Sequence, residues 1–445
     1  MKESLIGFRS HSLRTGAGTR WKIAAGLVFG AFLLAAGVAI AGDWPQFRGP
    51  YGNGLSDEER LPLEWNATQN IRWKTELPRP GNGSPIVADG RVWLACAEDA
   101  DGKRRGLFCF DRKNGKLLWK QIVEYPEKSP THQTNPYCGS TPAYQSGRVV
   151  VWHASAGLHC YDRDGNPVWS RDLGEFEHMW GYGSSPIIHQ GRVILFTGPS
   201  RQRMFVGAYD LETGRTLWET DEPFDGDGDR NSAGNYMGSW TTPLVVKVNG
   251  HEQVAVSLPT RVVGYDLQTG RIVWWCEGLR GPRGDLAYSS PLSNGAILVT
   301  TGGYQGPSFA VLLGGQGDLT ATARLWRKEQ NPQSIGSGIL LGEFYYMANA
   351  GPGTVQCIEA KTGKVVWTER GGANYWSSIV YGAGRAYVTD QNGTTLVFEP
   401  SAEKLVRLAS NPLGEPSNST PALSDGEIFI RTFQHLYCIG STGAP

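Results

Sequence analysis

The stretch YDLETGRTLW, residues 209–218, decides the fold. The Asp210 side chain is placed to accept backbone N–H groups two residues on. Gly214 supplies the positive φ that a type I turn with a G1 bulge requires. A run of β-formers precedes the turn at residues 205–209, and a second strand carrying a tryptophan follows it. The unit is a hairpin, and it recurs as FDRKNGKLLW (110–119), YDRDGNPVW (161–169), YDLQTGRIVW (265–274) and IEAKTGKVVW (358–367). FEPSAEKLVR (398–407) is a degenerate copy with Arg407 in the tryptophan place, and LLGGQGDLTATARLW (312–326) is stretched by a glycine-rich insertion.

Between the hairpins lies a second repeated pattern: two small residues, proline, an aliphatic residue, a turn glycine and a β-branched or aromatic run. Copies begin at Gly83, Gly139, Gly183, Ser239, Tyr288, Ser334, Tyr375 and Asn418. Proline is tolerated at a strand's start, where little ladder bonding is lost. Each repeat therefore supplies four strands at a spacing near ~45 residues, the sequence pattern of a propeller blade. The expected fold is all-β: an eight-bladed β-propeller with four antiparallel strands per blade, seven being the alternative count. The eighth copy, ending near Gly440, has three strands. NIRWKT (70–75) reads as its missing outer strand, so that the N-terminal strand pairs into the last blade and closes the ring.

Composition agrees with many short strands: 59 glycines, 16 tryptophans and 17 tyrosines, with only 19% charged residues. Basic and acidic residues balance at 42 each, which argues against nucleic acid as a partner. Lys2, Arg9, Arg14, Arg20 and Lys22 precede an apolar run at 23–41 that ends in the A-x-A pattern of Ala39 and Ala41. Residues 1–42 read as an export signal, with a retained membrane anchor the alternative; either way residues 43–445 face away from the cytosol. No adjacent twin arginines and no lipid-acceptor cysteine accompany it. The remainder divides into an extended lead-in (43–66), the propeller (67–440) and a tail (441–445).

Cys109, Cys160, Cys357 and Cys438 occupy one place in four repeats, and Ala208 and Gly264 fill it in two others. A place that takes Cys, Ala or Gly demands small volume, so these cysteines are expected to pack rather than bridge. Cys96, Cys138 and Cys276 stay unassigned, a bridge among them being open. The tryptophans Trp73, Trp119, Trp169, Trp218, Trp274, Trp326 and Trp367, one per repeat, are expected to dock blade on blade.

Catalytic and metal motifs are sparse. Asp225, Asp227 and Asp229 alternate like the first half of a calcium loop. Arg230 and Tyr236 stand where an EF-hand needs Gly and Glu, so a solvated loop is the plainer reading. Histidines are scattered without metal spacing, and neither a nucleophile elbow nor a P-loop is present. The functional hint is positional. Residues just before each blade's first strand should rim the central funnel: His132, Asn135, Tyr137, His178, Trp180, Tyr182, Asn235, Tyr236, Trp240, Tyr288, Tyr375, Trp376 and Asn418. Flat apolar faces with hydrogen-bonding tips suit peptide, saccharide or other polar organic ligands. The alternative is that these rings only plug the funnel.

The Trp hairpins, together with DWPQFRGP (43–50), THQTNPYCGSTP (131–142), GGQGDLTATARLW (314–326) and HLYCIG (435–440), resemble the exported PQQ-like β-propeller repeat family. Its wider superfamily includes quinoprotein dehydrogenases and the propeller scaffold of the outer-membrane β-barrel assembly machinery. The resemblance implies a non-catalytic extracytoplasmic module, monomeric, that binds a protein or peptide of the cell envelope. Its alternatives are a quinoprotein-type oxidoreductase using pyrroloquinoline quinone (PQQ) and calcium, or a carbohydrate-binding propeller. Such dehydrogenases use a vicinal disulfide, a calcium cage and an Asp base carried on long insertions. This chain has no Cys-Cys pair and only short connections, so no catalytic residue, PQQ site or metal site is assigned.

Overall fold

The computed structural model describes residues 42–222 and 230–440. The basic and apolar N-terminal segment, the Asp225, Asp227 and Asp229 cluster and the tail at 441–445 lie outside the described residues. Among the described residues the structure is all-β, with one 3-10 turn at Ala154–Ala156 and no helix long and apolar enough to cross a membrane.

Eight sheets are built on one plan, a meander of four antiparallel strands. The third shows it: Ile187–His189, Arg192–Phe196, Phe205–Asp210 and Thr216–Asp221 pair in order. Its last turn forms as the sequence predicts. Asp210 Oδ1 accepts the Thr213 N–H at 2.9 Å and the Thr213 hydroxyl at 2.7 Å, Gly214 has φ 69°, and the register slips one residue between Ala208 and Tyr209.

The eighth unit joins the two ends of the described chain. Ile71–Glu76 pairs antiparallel with His435–Ile439, placing Trp73 opposite Cys438. The fourth unit carries a fifth strand: Gly317–Asp318, from the glycine-rich insertion, runs parallel to Ile272–Glu277. A ninth, three-stranded sheet ties Tyr236–Ser239 to Gly284–Ala287 in parallel, with Arg280–Gly281 alongside.

The small-residue place is explained by the register. Cys109, Cys160, Ala208, Gly264, Cys357 and Cys438 lie directly opposite Trp119, Trp169, Trp218, Trp274, Trp367 and Trp73. A large side chain there would contend with the indole for one volume. All seven cysteines are free and buried.

Six of the tryptophans dock on the following unit. Trp119 Nε1 donates to Arg163 O, Trp169 to Leu211 O, Trp218 to Leu267 O, Trp326 to Ala360 O and Trp367 to Ser401 O, at 2.8–3.0 Å. Trp73, in the eighth unit, donates to Arg112 O of the first at 2.8 Å. Each acceptor sits in the neighbour's turn, and a Cβ on Gly115, Gly165, Gly214, Gly270 or Gly363 would overlap the arriving ring. Trp274 departs from the pattern. The insertion replaces the turn it would reach, and its N–H bonds Gln253 Oε1 of its own sheet at 2.7 Å while its ring still packs among fifth-unit residues. Arg407, in the tryptophan place of the seventh unit, donates to Gly371 O at 2.8 Å instead.

The lead-in is bound along its length. Trp44 bridges to Val87, Pro45 O accepts the Tyr144 N–H, Gln46 Oε1 accepts the Ile188 N–H and Gly54 O accepts the Tyr381 N–H. Trp65 N–H then reaches Asn411 Oδ1. Fully buried Arg48 donates to Asn53 O and Gly338 O. The segment thus straps the first, second, third, sixth and seventh units together before entering the eighth.

Candidate functional site

The small-residue pattern carries a hydroxyl at one fixed place in all eight copies: Ser84, Thr141, Ser185, Thr242, Ser290, Ser337, Ser378 and Thr420. These residues form a cyclic relay in which each backbone N–H donates to the side-chain oxygen of the next. Ser84 donates to Thr141, Thr141 to Ser185, Ser185 to Thr242 and Thr242 to Ser290. Ser290 then donates to Ser337, Ser337 to Ser378, Ser378 to Thr420, and Thr420 back to Ser84. Distances run from 2.9 to 3.3 Å. A buried N–H without a partner costs about 1–3 kcal/mol, and the relay satisfies eight of them where no ladder neighbour exists.

Above this tier lies a cavity of about 550 Å³. All eight relay residues line it, and so do the eight residues two positions before them: Asn82, Gly139, Gly183, Trp240, Tyr288, Ile335, Trp376 and Asn418. Extended backbone alternates its side chains, so positions two apart face the same way. His132, Thr134, Asn135, Trp180, Tyr236, Tyr304, Gln333 and Gly336 complete the wall, and Phe47 of the strap also lines it.

Of the residues expected at the rim, His132, Asn135, Trp180, Tyr236, Trp240, Tyr288, Trp376 and Asn418 line the cavity; the other five do not. Tyr137 is buried, its hydroxyl donating to Ser129 O. Tyr182 is buried and accepts the Cys138 N–H. His178 is buried with Nε2 3.0 Å from Met237 O, beneath Trp240. Tyr375 is buried, and Asn235 takes part in a turn through its N–H to Asn231 Oδ1. Tyr182 and Tyr375 stand three residues before the relay, where the alternation turns a side chain away from the cavity. Asn82, Thr134, Tyr304, Gln333, Ile335 and Phe47 were not expected. The two-residue offset from the relay hydroxyl is the signal for Asn82 and Ile335; Tyr304 and Phe47 have no counterpart in other repeats.

The wall has two chemistries. On one side the rings of Trp180, Tyr236, Trp240, Tyr288 and Tyr304 cluster, with Trp180 4.7 Å from Tyr236, 5.8 Å from Trp240 and 6.4 Å from Tyr288 and Tyr304. Burial raises the Tyr288 hydroxyl above its ordinary pKa, keeping it neutral. On the other side amides bond in series. Asn418 Nδ2 donates to Asn82 Oδ1, Asn82 Nδ2 to Asn135 Oδ1, and Asn135 Nδ2 to the carbonyls of Trp180 and Tyr182. Among the described residues that line the cavity none is Asp, Glu, Lys or Arg. No group of three or more His, Cys, Asp or Glu able to hold a metal occurs among the described residues. PQQ carries three carboxylates and, by the resemblance above, is held with calcium. This lining offers neither a cation for those carboxylates nor a carboxylate for the metal, so the donor set does not fit the group.

Comparison with known proteins gives two kinds of relative. The family model described as "Outer membrane protein assembly factor BamB" matches residues 55–135 and 103–369. Quinohemoprotein alcohol dehydrogenase ADH-IIG of Pseudomonas putida is 27% identical over 188 residues, which is 38% of this chain and 25% of that protein. The matched part thus spans about a quarter of the dehydrogenase. Among solved structures, BamB from Moraxella catarrhalis superposes with a TM-score of 0.56 at 14% identity, covering 82% of this chain and 98% of that one. Quinohemoprotein alcohol dehydrogenase from Comamonas testosteroni gives 0.63 at 13% identity, covering 92% and 82%. At such identities the likeness is one of fold: a PQQ-like propeller repeat.

Proposed function

The chain belongs to the family described as outer membrane protein assembly factor BamB, and on that premise we propose that it is a non-catalytic, extracytoplasmic binding module. The eight four-stranded units are the blades of one closed propeller spanning 67–440, braced by the strap at 43–66. The cavity above the relay is the binding site, and His132, Asn135, Trp180, Tyr236, Trp240, Tyr288, Trp376 and Asn418 are its contact residues. Residues 1–42 act as the export signal or as an anchor that holds the module at a membrane. The module works as a monomer on a component of the cell envelope, in a scaffolding role akin to envelope or outer-membrane assembly.

One observation carries the reading: a sizeable cavity whose described lining bears no carboxylate and no cation. Metal activation and carboxylate-based acid-base catalysis draw on such groups, and His132 is the single imidazole in the described lining, whereas binding needs only shape, apolar area and a few placed hydrogen-bonding groups.

The similarity to quinohemoprotein alcohol dehydrogenases favours a second reading, a PQQ-dependent oxidoreductase. The two separate in one experiment. Purified protein is supplied with PQQ and Ca²⁺, dialysed, and assayed for quinone absorbance and for dye-linked oxidation of alcohols and sugars. Retained quinone with turnover that disappears in Trp240→Ala would remove the non-catalytic reading. No retention, together with capture of envelope components that Trp240→Ala abolishes, supports it.

A further inference from the structure

We propose that the ligand of the cavity is a neutral saccharide, seated with a sugar face on Trp180 and its hydroxyls turned to the amide wall. The inference rests on the non-catalytic binding reading and names the class of ligand.

The aromatic side is pre-shaped rather than collapsed. Trp240 is fixed by its N–H to Gly181 O at 2.7 Å, and Tyr236 packs on the Trp180 ring with the guanidinium of Arg230 4.4 Å from its own ring centroid. The rings meet at 36–64° across Trp180, so they do not stack flat on one another, and all five border the cavity. An aliphatic C–H face of a pyranose is the complement to such a surface. The hydroxyls of Tyr236, Tyr288 and Tyr304 point no bond to any described residue, so donors border the ring faces.

The opposite wall offers acceptors in fixed orientation. The N–H groups of Asn418, Asn82 and Asn135 are all engaged within the protein. Their amide oxygens therefore cannot swap with their nitrogens without breaking the series, and each oxygen has two lone pairs. Asn82 Oδ1 and Asn135 Oδ1 each take one bond from it, leaving capacity for a ligand hydroxyl. Because Asn135 is bonded to the backbone of Trp180, the amide and aromatic walls are set at one separation. A ligand with a formal charge would meet no Asp, Glu, Lys or Arg among the described lining residues and would lose hydration on entry. A ligand rich in hydroxyls, with apolar faces and no charge, meets every wall.

The test uses tryptophan fluorescence and calorimetry with cellohexaose, xylohexaose, mannohexaose and maltohexaose as probes, on the wild-type protein, Trp180→Ala and Trp180→Phe. Saturable binding of at least one probe is expected. It should weaken about tenfold in Trp180→Ala and recover in Trp180→Phe, with affinity referred to the folded fraction because losing a ring packed on Tyr236, Trp240, Tyr288 and Tyr304 also lowers the melting temperature. Asn82→Ala provides a second variant on the other wall and should weaken binding as well. Absence of binding by all four probes overturns the inference. If mixed hexapeptides bind in their place and Trp180→Ala abolishes that, the saccharide assignment fails while the non-catalytic reading stands. PQQ-linked turnover would overturn both.

Discussion

The Thr420 N–H donates to Ser84 Oγ at 2.9 Å across 336 residues of chain, the last of eight like bonds and the one that returns the relay to its start. Thr420→Val keeps the shape but removes the oxygen that accepts from Ser378, so one buried N–H loses its partner. A loss of about 1–3 kcal/mol is expected, read as a lower urea midpoint with unchanged slope. Thr420→Ser should restore most of it. Equal midpoints for Val and Ser would show that the hydroxyl contributes nothing.

The docking of Trp218 on Gly270 is a second joint that can be isolated. Gly270 has φ 70° and a Cβ there would run into the Trp218 ring; Gly250 has φ 82° and open space around it. Both alanine variants carry the strain of a left-handed residue, of order ~1 kcal/mol, and only Gly270→Ala also displaces the indole. Gly270→Ala should therefore destabilise clearly more than Gly250→Ala, approaching the about 3–5 kcal/mol expected for Trp218→Ala. Similar melting temperatures for the two glycine variants would mean that the close approach carries no weight.

Most of this architecture was legible in the chain because its determinants are local and repeat. An aspartate, a turn glycine and a tryptophan eight residues on define a hairpin without reference to anything distant, and the orphan strand around Trp73 could be matched to an incomplete last repeat. The relay was not legible as a relay. Its hydroxyls were visible as small residues before proline, but their bonds run between repeats rather than within them. At the cavity, half-turn alternation sorts Trp240 and Tyr288 from Tyr182 and Tyr375, a distinction lost when all aromatic residues before a strand are counted alike. Tyr304 enters from a loop with φ 52° that no other repeat shares, so no pattern marks it.

His153 gives the protein an acid-sensitive joint. It is fully buried, both ring nitrogens lack a partner among the described residues, and His159 and the Arg105 guanidinium lie beside it. Burial first, then those two neighbours, holds its pKa well below the ordinary value. An unfolded histidine takes up its proton near pH ~6.5. The unfolded chain therefore binds the proton first, so stability is full above that pH and falls as pH drops below it. The midpoint of urea unfolding should decline from about pH 7 to about pH 5, and His153→Leu should flatten that slope even if it lowers the plateau. A slope unaltered by the substitution would assign the acid sensitivity elsewhere.

The strap makes the last prediction, because two neighbouring aromatics on it do different work. Trp44 is 1% exposed, bridged to Val87 and covered by Gly49, whereas Phe47 is half-buried and lines the cavity. Removing a buried indole leaves a void that flanking strands cannot fill, so Trp44→Ala should cost about 3–5 kcal/mol. Phe47→Ala gives up only part of a ring to solvent, about 1 kcal/mol by area, but it deepens the cavity. The two variants should then diverge in opposite senses: Trp44→Ala with a much lower melting temperature and unaltered ligand affinity per folded molecule, Phe47→Ala with a nearly native melting temperature and altered affinity. If Phe47→Ala changes neither, the strap is a brace alone and the cavity ends above it.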